Sequence, residues 1–207
     1  MAAACTIWLS GRPRAGKSTL GAMLVSELAA RGQKAQLLDG DELRRQLSPE
    51  LGYGPDERRL HHLRAAYLAG LLNRHGVYCV AALIAPYAAL RAELRRRLPG
   101  LVLAHLDCGL EQAMNRDRSG LYARALAGAI KQFTGLDDAY EDPARPEIRL
   151  MTDRESPAQS LARLLAWLQT NGRIPAPAPA PAGEQAPAYA EGEAREIERR
   201  LEQLGYL

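Results

Sequence analysis

At 207 residues, with 47% hydrophobic and 25% charged side chains, the chain is long enough for one substantial core and an appended segment. A formal net charge of +3 is too mild for a concentrated basic face and argues against a nucleic-acid polymer as partner. No run of about 18 apolar residues occurs and the start MAAACTIWL lacks a basic leader region, so neither a membrane span nor a secretory signal is expected.

Thr6 to Ser10 is a short apolar run before a glycine, as expected of a buried parallel strand. Gly11-Arg-Pro-Arg-Ala-Gly16-Lys17-Ser18 follows and fits the spacing G-x-x-x-x-G-K-S. Lys17 to Arg31 carries Leu20, Met23, Leu24 and Leu28 at helical spacing, with Gly32 as its stop. KAQLLDGD reads as a second strand ending in Asp39-Gly40-Asp41, and Glu57 to Arg74 as a helix closed by Gly76. VYCVAALIAPY is a third strand broken by Pro86, Tyr87 to Arg97 a helix, LVLAHLDC a fourth strand, and LEQAMNRD the start of a helix.

Residues 116–143 are polar, basic and glycine-rich, and read as a lid of short helices and loop. PEIRLMTD and Ser156 to Gln169 give a last strand and a last core helix. Residues 174–190, IPAPAPAPAGEQAPAYA, favour an extended spacer. In 191–207, Ile197, Leu201 and Leu204 fall on one helical face, so a small amphipathic helix is expected, folded back on its own domain or docking a partner. The chain thus divides into a domain over 1–173, a linker and a C-terminal helix. Its alternating strands and helices predict a three-layer α/β fold, a mainly parallel sheet covered on both faces. The cysteines, Cys5, Cys79 and Cys108, are odd in number and outside any C-x-x-C pair, which suits reduced thiols in a cytoplasmic protein.

A strand, a glycine-containing loop and a helix N-terminus converge backbone N–H groups on phosphate oxygens. Lys17 would neutralise the outer phosphates of a nucleotide and Ser18 would bind magnesium. The loop interior is bulky and basic, with Arg12, Pro13 and Arg14; Pro13 removes a donor but stiffens the turn, and Arg14 stands where related loops often have a small residue. No guanine-reading N-K-x-D follows a later strand and no LSGGQ-like segment occurs, which excludes a small GTPase and a transporter ATPase. A cradle at the start and a basic lid late in a short chain point to a P-loop NTPase fold built as a small-molecule kinase using MgATP. Asp39 and Asp41, at the carboxyl end of the second strand, lie where ligands of parallel sheets bind. One could serve an acceptor hydroxyl or a magnesium-bound water; Asp41 could alternatively cap the helix beginning ELRRQL.

The stretches LLDGDELRRQLSPELGY, IAPY, RDRSGLYARALAGAIKQFTGLDDAYEDP and PEIRL together resemble the adenylylsulfate kinase family, from about Thr6 to Leu168. The run G-L-Y-x-x-x-x-x-G-x-I-K-x-F-T-G, Gly120 to Gly135, is far more specific than the cradle. The resemblance implies transfer of a phosphate from MgATP to the ribose 3′-hydroxyl of adenosine 5′-phosphosulfate, in line and without a covalent intermediate, by a homodimer. It implies that Gly11, Ala15, Gly16, Lys17, Ser18 and Thr19 hold the ATP phosphates and that Arg116 stacks on the ATP adenine. Asp41 would lie at the acceptor hydroxyl, with Asp39 beside it. Arg44 and Arg58 would grip the acceptor's anionic group, a task suited to guanidinium. Tyr53, where the family usually has Phe, and Phe133 would sandwich the acceptor base, Ile84 would pack at the acceptor with backbone hydrogen bonds nearby, Lys131 would contact the acceptor or the transferring phosphate, and Thr134 and His61 would also line the acceptor. Phe133 is the only phenylalanine and lies in a polar segment, which favours stacking over packing.

Several positions depart from the family pattern. His61 replaces an asparagine, Leu63 an arginine, Ala85 a serine, and Ser119 and Leu126 basic lid residues. Adjacent on a helix, His61 and His62 point about 100° apart, so one of them is expected to face the site and a metal pair is not expected. The departures leave open a kinase of the same fold acting on another nucleotide acceptor, such as a cytidine diphosphoramidate used in surface-glycan modification. A nucleotide-binding module without catalysis is the remaining reading, against which Lys17, Ser18 and Asp41 speak.

Overall fold

Five strands, β1 (Thr6–Ser10), β2 (Ala35–Asp39), β3 (Tyr78–Ala82), β4 (Val102–Asp107) and β5 (Ile148–Met151), form one all-parallel sheet in the order β2-β3-β1-β4-β5. The structure is a computed structural model and describes residues 3–175. The expected Pro-Ala spacer beyond residue 175 and the helix expected over 191–207 fall outside the described residues.

Alternation along the central strand divides the core. Ile7 and Leu9 face the layer of α1 (Lys17–Ala30) and α7 (Pro157–Thr170), packing with Leu20, Leu24, Leu28, Leu164 and Leu168. Trp8, between them, faces α3 (Pro55–Arg74) and α4 (Ala88–Arg97), with Ala65, Ala66, Ala69, Leu90 and Leu94. Small residues on α3 let it lie close to the bulky Trp8 ring, whose Nε1 donates to the Leu83 carbonyl over 3.2 Å. The last helix starts in a capping box, with Ser156 accepting from the Gln159 N–H and Gln159 from the Ser156 N–H.

Two expectations shift at element ends. The third strand stops at Ala82, ahead of Pro86: Leu83 and Ile84 border the cavity and Ala85 takes a left-handed φ of 46°. The helix α2 (Gly40–Leu47) is capped by Asp39 rather than Asp41: Asp39 Oδ1 accepts from the Asp41 and Glu42 N–H groups. The helix α5 (Leu110–Asn115) ends just before residues 116–143, the stretch expected as a lid, which holds a turn, α6 (Leu121–Leu126) and loop towards β5. The carboxyl ends of the strands therefore present the phosphate cradle (β1), the aspartates (β2), Leu83 and Ile84 (β3) and Thr152 (β5) to one edge of the sheet.

Candidate active site

One cavity of about 1010 Å³ runs along that edge. Every residue expected from the sequence to bind ATP or the acceptor borders it except Gly11, which lies beneath the cradle; a Cβ on Gly11 would come within 2.6 Å of the Leu106 carbonyl oxygen. Only glycine permits that approach of the loop to β4. Gly16 turns the loop into α1 with a left-handed φ of 95°, leaving the first N–H groups of the helix at the cavity.

The cradle holds a strongly perturbed charge. Lys17 Nζ donates to the carbonyls of Gly11 (2.9 Å) and Arg12 (2.8 Å). Burial pulls its ammonium down to about 8, opposed by the charges of Asp41 and Asp39. Ser18 Oγ donates to Asp39 Oδ2 over 2.6 Å, so Asp39 serves the cradle side with one oxygen and the α2 cap with the other. Asp41 stays exposed one turn on, with its carboxylate spent on no cap.

The opposite wall is held by α3 and the lid. Arg58 is buried; its Nε donates to the Tyr53 carbonyl (2.8 Å), its Nη2 to the Gln132 carbonyl, and Asp138 lies 3.5 Å away. Arg44 donates to the carbonyls of Leu51 (3.2 Å) and Gly52 (2.7 Å). Both guanidinium groups lie over the Tyr53 ring, at 4.6 Å for Arg44 and 5.4 Å for Arg58. Tyr53 itself is 54% exposed. Phe133 differs from expectation, because it is buried and packs edge-on against Tyr122 at 4.9 Å as part of the main core. It borders the cavity as a packed wall rather than as a free ring. The lid around it is fixed by Asp137, which accepts from the Gln132 and Phe133 N–H groups, and by Asp138, which accepts from Tyr87 Oη at 2.8 Å. Thr134 is buried beside Asp138, Ile84 half-buried, and Lys131 exposed at the rim.

Both His61 and His62 border the cavity, where one alone was expected. Both are buried, and burial pushes them down to about 4 and about 3, so both are neutral. His62 donates from Nδ1 to the Arg58 carbonyl (2.7 Å) and accepts the Ala85 N–H at Nε2 (3.0 Å), while His61 Nδ1 pairs with Ser48 Oγ at 3.1 Å. Among the described residues no group of three or more His, Cys, Asp or Glu could hold a metal ion.

At the far end Arg116 donates to the Thr152 carbonyl, beside Glu155, Pro157 and Ser160. Sequence reasoning missed His62, Arg124, Gln132 and Thr152 in the wall, and Asp138 behind it. The adjacency of His62 to His61 and the GLDD run were the only available signals. All described cysteines are unpaired and buried, and no described helix is long and apolar enough to cross a membrane.

A cradle that collects phosphate charge, facing an uncapped aspartate beneath a lid, defines a P-loop phosphotransferase that uses an alcohol acceptor. Comparison narrows the class. The family model described as adenylylsulphate kinase matches residues 3–151. The adenylyl-sulfate kinase of Deinococcus deserti is 44% identical over 165 residues, covering 80% of this chain and 91% of its own. A probable bifunctional SAT/APS kinase of Sorangium cellulosum is also 44% identical, over 82% of this chain, which spans 29% of that protein. The Mycobacterium tuberculosis APS kinase CysC, solved with AMPPNP and APS, superposes with a TM-score of 0.77 at 31% identity, covering 81% of this chain and 99% of that one. A gluconokinase from Sinorhizobium meliloti shares the fold alone, with a TM-score of 0.61 at 18% identity over 83% of this chain and 95% of its own. The chain belongs to the adenylylsulphate kinase family.

Proposed function

We propose that this chain transfers the γ-phosphate of ATP to the ribose 3′-hydroxyl of adenosine 5′-phosphosulfate, with magnesium. The observation that carries the reading is a single cavity shared by the cradle and the acceptor wall. At about 1010 Å³ it lies at the upper end of the range for one small-molecule site, which suits two nucleotides end to end.

The roles follow from charge and reach. Backbone N–H groups over residues 15–19 and Lys17 hold the phosphates, and Asp41 orients the acceptor hydroxyl and takes its proton. Arg116 supports the ATP base at the far end. Tyr53 offers its exposed ring to the acceptor base, with Phe133 as a fixed opposite wall and Ile84 and Thr134 between. Arg44 and Lys131 meet the acceptor's anionic group; Arg58 holds Tyr53 and the lid in place. His61, neutral and paired with Ser48, contributes shape rather than charge. Ser18 and Asp39 form a hydroxyl–carboxylate pair of hard oxygen donors, which fits magnesium, a cation satisfied by one or two such groups plus phosphate oxygens. When bound, magnesium would neutralise the outer phosphates.

The family departures weigh less here than in the sequence. Of His61, Leu63, Ala85, Ser119 and Leu126, His61 alone borders the cavity. Ala85 is buried and presents only its N–H, to His62. This supports the sulfated adenylyl acceptor over a changed one. A homodimer and a cytoplasmic setting belong to the proposal; the exposed Leu47, Leu60 and Tyr67 supply apolar surface for a second copy.

The test is ADP release by the purified chain with MgATP and adenosine 5′-phosphosulfate, cytidine diphosphoramidate, or no acceptor. Release with the first substrate alone is expected. Release with the cytidine compound and none with the adenylyl one would replace this reading, and ATP binding without any release would leave a non-catalytic module.

A further inference from the structure

The two arginines that make the cradle bulky both reach into the lid. Arg14 Nε donates to Asp117 Oδ1 at 3.1 Å and its Nη2 donates to Ser119 Oγ. Asp117 is 2% exposed and organises the turn into α6, accepting from the Ser119 N–H at 3.2 Å and the Tyr122 N–H at 2.7 Å. Tyr122 returns to the loop, its Oη donating to the Pro13 carbonyl over 3.0 Å. The other limb of the lid meets Arg12, whose guanidinium lies 5.1 Å from the Tyr140 ring centre and 3.9 Å from Asp142. A Cβ built on Gly135 would touch the Arg12 side chain at 3.4 Å.

Arg14 also holds a left-handed φ of 64°, a conformation that glycine adopts freely and arginine does not. A residue kept in that conformation, with its side chain committed to the lid, trades backbone comfort for a contact that glycine cannot make.

Resting on the reading of the cavity as a nucleotide site, we propose that Arg14, assisted by Arg12, is a positioning residue that couples occupancy of the phosphate cradle to the seating of the lid. The loop that closes on the phosphates is the loop that carries both arginines. Any shift of residues 12–14 on nucleotide binding is therefore transmitted to the turn at 117–122 and to Tyr140. Phosphate contact and lid position then form one cooperative unit.

The experiment uses the full chain and MgADP, whose binding does not depend on the acceptor. Amide exchange over residues 117–142 is followed with and without MgADP in wild type, Arg14→Gly, Arg14→Lys and Asp117→Asn. MgADP should slow exchange in wild type about tenfold and in Arg14→Gly less than about twofold, although nucleotide still binds. Arg14→Lys, which keeps charge without the two-pronged geometry, should fall between them. Arg14→Gly relieves the backbone but leaves the Asp117 carboxylate without its cation, so Tm should change little, yet kcat/KM for ATP should drop about tenfold, and adding Asp117→Asn should cost little more. Equal nucleotide-dependent protection in Arg14→Gly and wild type would overturn the coupling, as would additive kinetic losses in the double variant. A fall in Tm with unchanged kinetics would reduce Arg14 to a structural strut. Absence of MgADP binding to wild type would overturn the parent reading and this one with it.

Discussion

Replacing Lys17 with methionine should stabilise the protein while removing its activity. Burial holds the Lys17 ammonium at about 8 against an ordinary 10.5, so folding disfavours its charged form. A depression of that size corresponds to about 3 kcal/mol at neutral pH. Methionine fills similar space without the charge, but leaves the carbonyls of Gly11 and Arg12 without their donor, which returns on the order of 1 kcal/mol. The net gain is about 2 kcal/mol, or about 4–8 °C in Tm for a domain of this size. The sign carries a pH signature. Between about 8 and 10.5 the unfolded chain binds the Lys17 proton and the folded chain does not, so wild-type stability rises with pH across that window. The advantage of the variant should therefore shrink from pH 7.5 to pH 10, because groups common to both proteins cancel in the difference. Thermal unfolding without nucleotide, followed by circular dichroism at both pH values, reads the effect, while turnover falls by roughly 10²–10³-fold. A variant no more stable than wild type at pH 7.5, or an advantage unchanged at pH 10, would refute the reasoning.

The two aspartates should separate by assay. Asp41→Asn should lower kcat roughly 10²-fold with the ATP KM and Tm little changed, whereas Asp39→Ala should cost about 1 kcal/mol of stability through the lost α2 cap as well as raising the magnesium requirement; steady-state kinetics beside thermal unfolding distinguishes them, and a normal kcat in Asp41→Asn would remove it from the chemistry. Tyr53→Ala should raise the acceptor KM about tenfold and leave the ATP KM alone, the scale expected for one lost base-stacking ring; the reverse pattern in initial-rate kinetics would misplace that ring. Acid should unfold the protein early. His61, His62 and His105 are held down to about 4, 3 and 4 by burial, so below pH 6.5 the unfolded chain takes up protons that the folded chain refuses, and stability falls with pH. Each contributes about 2 kcal/mol of loss by pH 5. Urea unfolding at pH 7.5 and pH 5 should show the drop, and equal stability at both would mean that these histidines are not held neutral.

The sheet and the donor side were legible because their determinants are contiguous. Thr6 to Arg31 contains strand, cradle and helix within one stretch, and each signal, from the apolar run through Gly11 and Gly16 to the spacing of Leu20, Leu24 and Leu28, reinforces the next. Element ends were less legible where two residues could do the same task. Asp39 and Asp41 are both good helix caps by chemistry, and the sequence does not say which backbone N–H groups lie within reach; the structure gives the cap to Asp39 because it is the residue left in extended conformation, with ψ of 129°. The end of the third strand was hidden for a similar reason. Leu83 to Ala85 remain apolar, yet they have left the ladder: Leu83 and Ala85 are buried off the sheet, with the Ala85 N–H on His62, and Ile84 is half-buried at the cavity.

The contacts that fix the acceptor wall and the segment over it were not legible, because they join residues far apart in the chain. Arg58 reaches Gln132 and Asp138, Arg14 reaches Asp117, and Tyr122 reaches Pro13, and no periodicity links such pairs. Phe133 shows the consequence. Judged by its polar neighbours it had no core to join, but the lid folds Tyr122 beneath it, and that pair extends the main core into the lid. The same geometry changes how the family departures are weighed. A polar position lost in sequence alters recognition only if its side chain meets the ligand, and Leu63, Ala85, Ser119 and Leu126 do not border the cavity. What matters at Ser119 is instead its pairing with Arg14, the other residue that looked out of place. Two positions that read separately as departures form one contact, and that contact joins the phosphate loop to the segment over the cavity.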